Sequence, residues 1–249
     1  MKKVAFIPAR CGSKRIKDKN IKSFNGHPLI AYSIVAAIKS NVFDRIIFAT
    51  DSKDYASIAK YYGADVPFLR KTSISGDKSP DIEWVKFMLE GLSKIGEEFD
   101  LISILRPTSP LRLDTTIKSA LDKFLSIQNM DSLRAIEKCN QHPGKMWVKN
   151  DEMLYPLLPF KIDGVPWHSS QYSSLPEIYI QNASLEICWT KTIYELNSIS
   201  GNKVIPFLSS NYEGLDINNE EDFLLAETLL KMNKAITINI DKQPYKSFT

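Results

Sequence analysis

The stretch Val4-Ala5-Phe6-Ile7-Pro8-Ala9-Arg10-Cys11-Gly12-Ser13-Lys14-Arg15-Ile16-Lys17-Asp18-Lys19-Asn20 decides how the rest of the chain is read. Its apolar start is the pattern of a buried strand, and Pro8 ends the ladder by removing an N–H. A turn at Gly12 and Ser13 follows, in a loop carrying Arg10, Lys14, Arg15, Lys17 and Lys19. Like charges crowded on one loop repel unless an anion lies among them. A glycine lets backbone N–H groups approach that anion, while Lys and Arg supply charge and donors. A nucleoside triphosphate fits, and so does a solvated basic loop. The position favours the first reading, because α/β sheets take ligands at the carboxyl ends of their strands. Neither G-x-x-x-x-G-K-[ST] nor G-x-G-x-x-G is present, so the loop is neither a Walker P-loop nor a dinucleotide fingerprint.

Working outward, strand and helix alternate. Leu29 to Ile38 reads as a helix, Arg45 to Thr50 as a second buried strand ending at Asp51, and Tyr55 to Tyr62 as a helix stopped by Gly63. Val66 to Leu69 reads as a short strand. Arg70 then enters a loop through Gly76, Asp77 and Lys78, with Asp81 as cap of a helix over 82–92. Leu101 to Leu105 is the most apolar strand of the first half and runs into Arg106-Pro107-Thr108-Ser109-Pro110-Leu111-Arg112. Thr108 and Ser109 offer hydroxyls and N–H groups there, to a substrate or simply to a turn. A helix over 114–126 and a strand over 132–136 follow. Alternation of this kind predicts an α/β fold with a parallel sheet and helices on both faces.

The character changes from His142 to Leu175, which is rich in Pro, Trp and Tyr and reads as an excursion of short strands whose exposed aromatics mark an interface. His142 and His168 read as structural or polar contacts rather than a metal pair. Strands return at 178–187 and 203–207. Asp216 and Asn218 alternate along an extended segment, so both face one way. Two oxygen ligands of that kind suit Mg²⁺ against phosphates. The acidic run behind them, with Asn219, equally suits the cap of a helix over 220–233. The chain divides into one domain over 1–235, with 140–177 as the excursion and 236–249 as a tail that forms an edge strand or stays loose.

Bulk composition is that of an ordinary globular protein: 249 residues, 43% hydrophobic, 24% charged and a net charge of +3. That small excess, with no basic stripe, argues against nucleic acid as partner. No stretch approaches 18 uninterrupted apolar residues, so no membrane partner is expected, and the first residues read as a strand, not a leader. Cys11, Cys139 and Cys188 are scattered and odd in number, the usage of reduced thiols in a cytoplasmic protein. Cys11 has no sequence-adjacent base, which argues against covalent catalysis.

As a set, Ile7-Pro8-Ala9-Arg10, Ser13-Lys14, Lys19-Asn20, Arg70, Pro107-Thr108-Ser109-Pro110-Leu111-Arg112 and Asp216-Ile217-Asn218 before Asp222-Phe223 resemble the acylneuraminate cytidylyltransferases, the CMP-sialic acid synthetases related to CMP-Kdo synthetases. The resemblance runs from residue 1 to about residue 232. It implies a Rossmann-like nucleotidyltransferase fold, a homodimer, and Mg²⁺-dependent transfer of CMP from CTP to a small acidic 2-keto sugar. Arg10, Lys14, Lys19 and Asp216 then carry the chemistry. Ala9, Gly12, Ser13, Asn20, Arg70, Asp77, Thr108 and Ser109 join Arg10, Lys14 and Lys19 around the nucleotide, and Asp216 holds the metal. Asn218 stands where many members carry a second aspartate. Arg106, Lys145, Gln171, Tyr179 and Asn182 are candidates for the sugar, with Arg106 and Lys145 as partners of its carboxylate. Arg106 replaces a glutamine of several sialic acid enzymes, and Ser169 to Pro176 replaces their Arg-Gln before Leu-Pro, so the acceptor is open among sialic acid, a nine-carbon relative such as legionaminic or pseudaminic acid, Kdo or a sugar 1-phosphate. A CTP-binding regulator without turnover is the reading from a different class.

Overall fold

A computed structural model describes residues 1–13, 15–76 and 79–246. The chain forms two compact units, Met1–Ala135 with Asn182–Thr249, and Ile136–Gln181. The first opens with β1 (Lys3–Pro8), the small ribbon β2 (Ser23–Phe24) and β3 (His27–Pro28), α1 (Leu29–Ser40), β4 (Arg45–Ala49), α2 (Lys53–Tyr62), α3 (Asp81–Ser93), β5 (Leu101–Ile104) and α4 (Asp114–Ser126). β6 (Ser132–Lys138) leads out of it. Within the second unit lie β7 (Trp147–Asn150), β8 (Met153–Pro156), β9 (Lys161–Ile162) and β10 (Val165–Pro166). The return strand β11 (Tyr179–Trp189), α5 (Thr190–Glu195), β12 (Val204–Leu208) and α6 (Glu220–Lys231) complete the first unit.

Its sheet has the order β12-β6-β11-β5-β1-β4. β1 pairs in parallel with both β4 and β5, so the chain runs to one side of β1 and later returns on the other. That reversal opens a crevice outside the carboxyl ends of β1 and β5. Side chains divide by the strand period of two. Ala5, Ile7 and Phe48 meet the core beneath α1, α2, α4 and α6. Val4, Phe6, Ile47, Ile102 and Ile104 meet Trp84, Val85 and Met88 of α3 on the opposite face. The expected α/β architecture with helices on both faces is present.

Local chemistry sets the element ends. Ser52 accepts the Tyr55 N–H at 3.3 Å to start α2, and Gly63, at φ 103°, closes it in the left-handed region that suits glycine. At α6, Asn219 and Asp222 form a capping box, each side chain accepting the other's backbone N–H at 2.8 and 3.1 Å.

Four details differ from the sequence reading. β11 runs antiparallel to β5, so the sheet is mixed. Val66 to Leu69 is not a strand: only Asp65 pairs with β4, and Pro67 has no N–H to extend the ladder. Asp81 is the first residue of α3 rather than its cap, which is Pro80. Among its described residues the tail forms no strand, yet Ile238 is buried, and Thr237 donates to the Pro110 carbonyl at 2.6 Å.

In the second unit, which begins and ends a few residues outside 140–177, β7 and β8 form a hairpin. Trp147, Val148, Met153, Leu154 and Tyr155 are all exposed along it. Behind it, Trp167 packs on Phe160 and His142, with ring centroids 4.9 and 5.5 Å apart. His142 is buried, accepts the Gly144 N–H at 2.9 Å and meets the Pro176 carbonyl at 3.0 Å, a structural role as read.

Candidate active site

The crevice outside β1 and β5 is a cleft of about 280 Å³. Arg10, Ser13, Lys19 and Asn20 line it from the basic loop, Arg70 from the segment before α3, and Arg106 and Thr108 from the loop after β5. Two prolines, Pro8 and Pro107, also line it, and neither can donate an N–H to a ladder. The sequence therefore ends both strands where a ligand has to approach.

Hydrogen bonds brace the loop from inside. The buried Asn20 amide donates to the Arg10 carbonyl at 3.3 Å, and the Arg10 guanidinium donates to the Ser75 carbonyl at 3.2 Å. Lys19 donates to the Ile217 carbonyl at 2.5 Å, while the Ile217 N–H donates to the Thr108 carbonyl at 2.8 Å. Asp216 and Asn218 are thus held on a segment tied to two cleft residues. Arg15 reaches Asn218 Oδ1 at 3.4 Å.

Electrostatics favour an anion. Burial lowers the Lys19 pKa, Asp216 pulls it back up, and the neighbouring Arg15 pushes it down again. Burial also lowers that of Arg70, whose guanidinium lies 5.1 Å over the Trp84 ring. Buried cations stacked in one cleft are stabilised by any polyanion that enters.

Asp216 is the residue that could hold a cation. Its Oδ2 accepts the Asn218 amide at 2.7 Å, whereas Oδ1 is buried with no hydrogen-bond partner among the described residues. An unsatisfied buried carboxylate oxygen is costly unless something positive completes it. No group of three or more His, Cys, Asp or Glu side chains suited to a metal occurs among the described residues. A metal here would therefore draw on Asp216, with Asn218 beside it, and complete its shell with phosphates and water.

Not every nominated residue reaches the cleft. Ala9 spends its N–H on the Ala49 carbonyl at 3.0 Å, Gly12 is exposed at φ 78°, and Ser109 is buried with its hydroxyl unpaired among the described residues. None of the three lines the cleft. Asn182 lies away from it, donating to Ser209 Oγ at 2.9 Å. Lys145, Gln171 and Tyr179 belong to the second unit. There Lys145 donates to the His168 and Ser170 carbonyls, Gln171 caps a 3₁₀ turn, and Tyr179 donates to Glu177 at 2.6 Å. Lys14 and Asp77 fall outside the described residues. Burial, then the Asp51 carboxylate, pushes the Cys11 thiol pKa up, which is the reverse of an activated thiolate.

Three residues were missed from sequence. Asp51 accepts the Cys11 N–H at 2.9 Å and pins the loop to β4; an acid at the carboxyl end of a buried strand was the available signal. Asp81 lines the cleft and accepts Trp84 Nε1 at 2.7 Å and Arg106 Nη2 at 2.5 Å. Glu186, on β11, accepts Arg106 Nη2 at 2.9 Å; its signal was a single carboxylate inside an apolar strand. Arg106, nominated for the sugar carboxylate, therefore already holds two carboxylates. Asp81 is raised by burial, but Arg106, Trp84 and Arg70 outweigh that and hold its carboxyl below the usual range.

Comparisons with known proteins show the family and the fold. Residues 4–141 match the family model described as cytidylyltransferase. Over 235 residues the chain is 33% identical to the CMP-N,N′-diacetyllegionaminic acid synthase of Legionella pneumophila, spanning 94% of this chain and 98% of that one. It is 30% identical over 226 residues to the N-acylneuraminate cytidylyltransferase of Escherichia coli, spanning 91% of this chain but only 51% of that protein. A solved structure of CMP:2-keto-3-deoxy-manno-octonic acid synthetase complexed with CTP superposes with a TM-score of 0.65 over 94% of this chain and 100% of its own, at 12% identity, a likeness of fold.

Proposed function

The chain belongs to the cytidylyltransferase family, and on that footing we propose that it transfers CMP from CTP to the anomeric hydroxyl of an acidic nonulosonic sugar, releasing pyrophosphate. One observation carries the reading: a cation-lined cleft at the carboxyl ends of β1 and β5, with Asp216 fastened to its Lys19 through Ile217.

In the reaction the anomeric oxygen forms a bond to the α-phosphorus while the bond to the β-phosphate oxygen breaks, and the hydroxyl proton is lost. The protein's task is positioning and charge stabilisation rather than covalent chemistry. Arg10 and Lys19 offset the charge that develops on the leaving pyrophosphate, and Arg70 holds a further phosphate or the ribose end. Mg²⁺ at Asp216 would neutralise phosphate oxygens and lower the pKa of the attacking hydroxyl.

The reading includes a cytoplasmic homodimer. A two-stranded ribbon is marginal alone, and β7–β8 exposes apolar side chains on both of its faces. A second copy of this chain is the partner such a surface suits.

The test is CTP-dependent pyrophosphate release with N-acetylneuraminic, N,N′-diacetyllegionaminic and pseudaminic acids and Kdo. Turnover with at least one nonulosonic acid, and none without acceptor, is expected. CTP binding without release for any acceptor would overturn the transferase in favour of a CTP-binding regulator, the reading that Asn218 favours by leaving one fewer carboxylate for a metal.

A further inference from the structure

Behind the cleft runs a chain of four alternating charges drawn from four elements. Asp81 on α3 and Glu186 on β11 both accept from Arg106 Nη2, at 2.5 and 2.9 Å. Arg134 on β6 pairs with the second oxygen of Glu186 and donates to Ser200 Oγ at 2.7 Å. Glu186 is 2% exposed. Two arginines and two carboxylates sum to zero, so Arg106 brings no net charge to the cleft. Its carbonyl is held as well, by Ser33 Oγ at 3.0 Å.

Stability does not explain the arrangement. Buried ion pairs are expensive to desolvate, and apolar residues of similar volume commonly serve a fold as well or better. Their use is geometric. Both bonds fall on one terminal nitrogen, which fixes the guanidinium plane and leaves the donors on Nη1 and Nε unclaimed among the described residues. A neutralised, oriented donor suits an uncharged oxygen better than a carboxylate, because a second anion would meet Asp81 and Glu186 at close range.

We infer that Glu186 is a positioning and specificity-determining residue, which through Arg106 makes the cleft read a hydroxyl or amide oxygen of the acceptor rather than its carboxylate. The inference rests on the cytidylyltransferase reading of the same cleft.

The test compares the full-length chain, Glu186→Gln, Arg106→Met and the double variant. CTP is titrated calorimetrically without acceptor, and pyrophosphate release is measured with N,N′-diacetyllegionaminic acid. Removing the Glu186 charge restores a net positive charge beside the phosphates, so CTP binds about three- to tenfold more tightly. The freed Arg106 loses its orientation, so the KM for the acceptor rises about tenfold while kcat changes less. In the Arg106→Met background Glu186→Gln leaves the KM for the acceptor unchanged, because that effect runs through Arg106, while CTP binding still tightens with the lost negative charge. Weakening of both substrates together, equal losses in the two backgrounds, or no change in either would overturn the inference. Should Glu186→Gln fail to fold, Asp81→Asn removes the other compensating carboxylate from the cleft side. Tighter CTP binding is expected there too, and unchanged or weaker binding overturns the proposal. Absence of pyrophosphate release with every acid would count against the transferase alone, since the CTP titration still decides the charge compensation.

Discussion

Asn218 donates its side-chain amide to Asp216 Oδ2 at 2.7 Å, and this leaves Asp216 Oδ1 as a buried oxygen with no hydrogen-bond partner among the described residues. The asparagine thus occupies one carboxylate oxygen and aims the other. Asp216→Asn is expected to lower kcat by roughly 10²–10³, the scale for removing a group that stabilises transition-state charge. Asn218→Asp adds a second hard oxygen charge and should lower the Mg²⁺ concentration for half-maximal rate several-fold. Pyrophosphate release against MgCl₂ reads both. Rates independent of Mg²⁺ in all three proteins would remove the metal from the account.

Arg10 links the loop to Ser75 across the cleft at 3.2 Å. Arg10→Ala is expected to cost roughly 10²–10³ in kcat, with a smaller change in the KM for CTP, because its charge matters most as pyrophosphate departs. A variant with undiminished kcat would end that role.

Lys19 predicts a pH effect whose sign follows from burial. Desolvation favours the neutral amine and lowers its pKa, while phosphate binding needs the protonated form. CTP affinity should therefore fall as the solution turns alkaline, well before an ordinary lysine at about 10.4 would titrate. Lys19→Arg, which stays charged, should hold affinity flat over the same range. Calorimetric titrations at a series of pH values distinguish the two, and parallel profiles would exclude Lys19 as the titrating group.

Val148 and Tyr155 sit directly opposite each other in the β7–β8 hairpin, and both are exposed. Changing both to glutamate should convert a dimer into a monomer near the chain mass of 28.3 kDa, read by light scattering. A wild-type chain already at that mass would refute the dimer.

The parts legible in the sequence were those set by neighbours along the chain. Asn219 with Asp222, the turn at Gly63, and the helix between Asp114 and Ser126 each carry their signal within a few residues. The cleft was legible too, because Pro8 and Pro107 stop two apolar strands next to cationic loops. What escaped depends on distant partners. Strand–helix alternation implies parallel pairing, and nothing local in Tyr179 to Trp189 records that it runs against β5. Asp81 looks like a cap from its position, yet its carboxylate is taken by Trp84 and Arg106. Arg106 reads as a free cation until Glu186, 80 residues away, is folded against it.

Arg112 is 1% exposed, and its guanidinium donates to the carbonyls of Arg106 and Ser184 and to the Ser33 hydroxyl beneath the loop after β5. Burial pushes its pKa down to about 9, with Glu213 drawing it back up, so the side chain stays a cation near neutrality. The segment lining the cleft is therefore fastened from below before any substrate arrives. Its disorder is surrendered during folding instead of on association, and nucleotide capture should resemble a key meeting a finished lock.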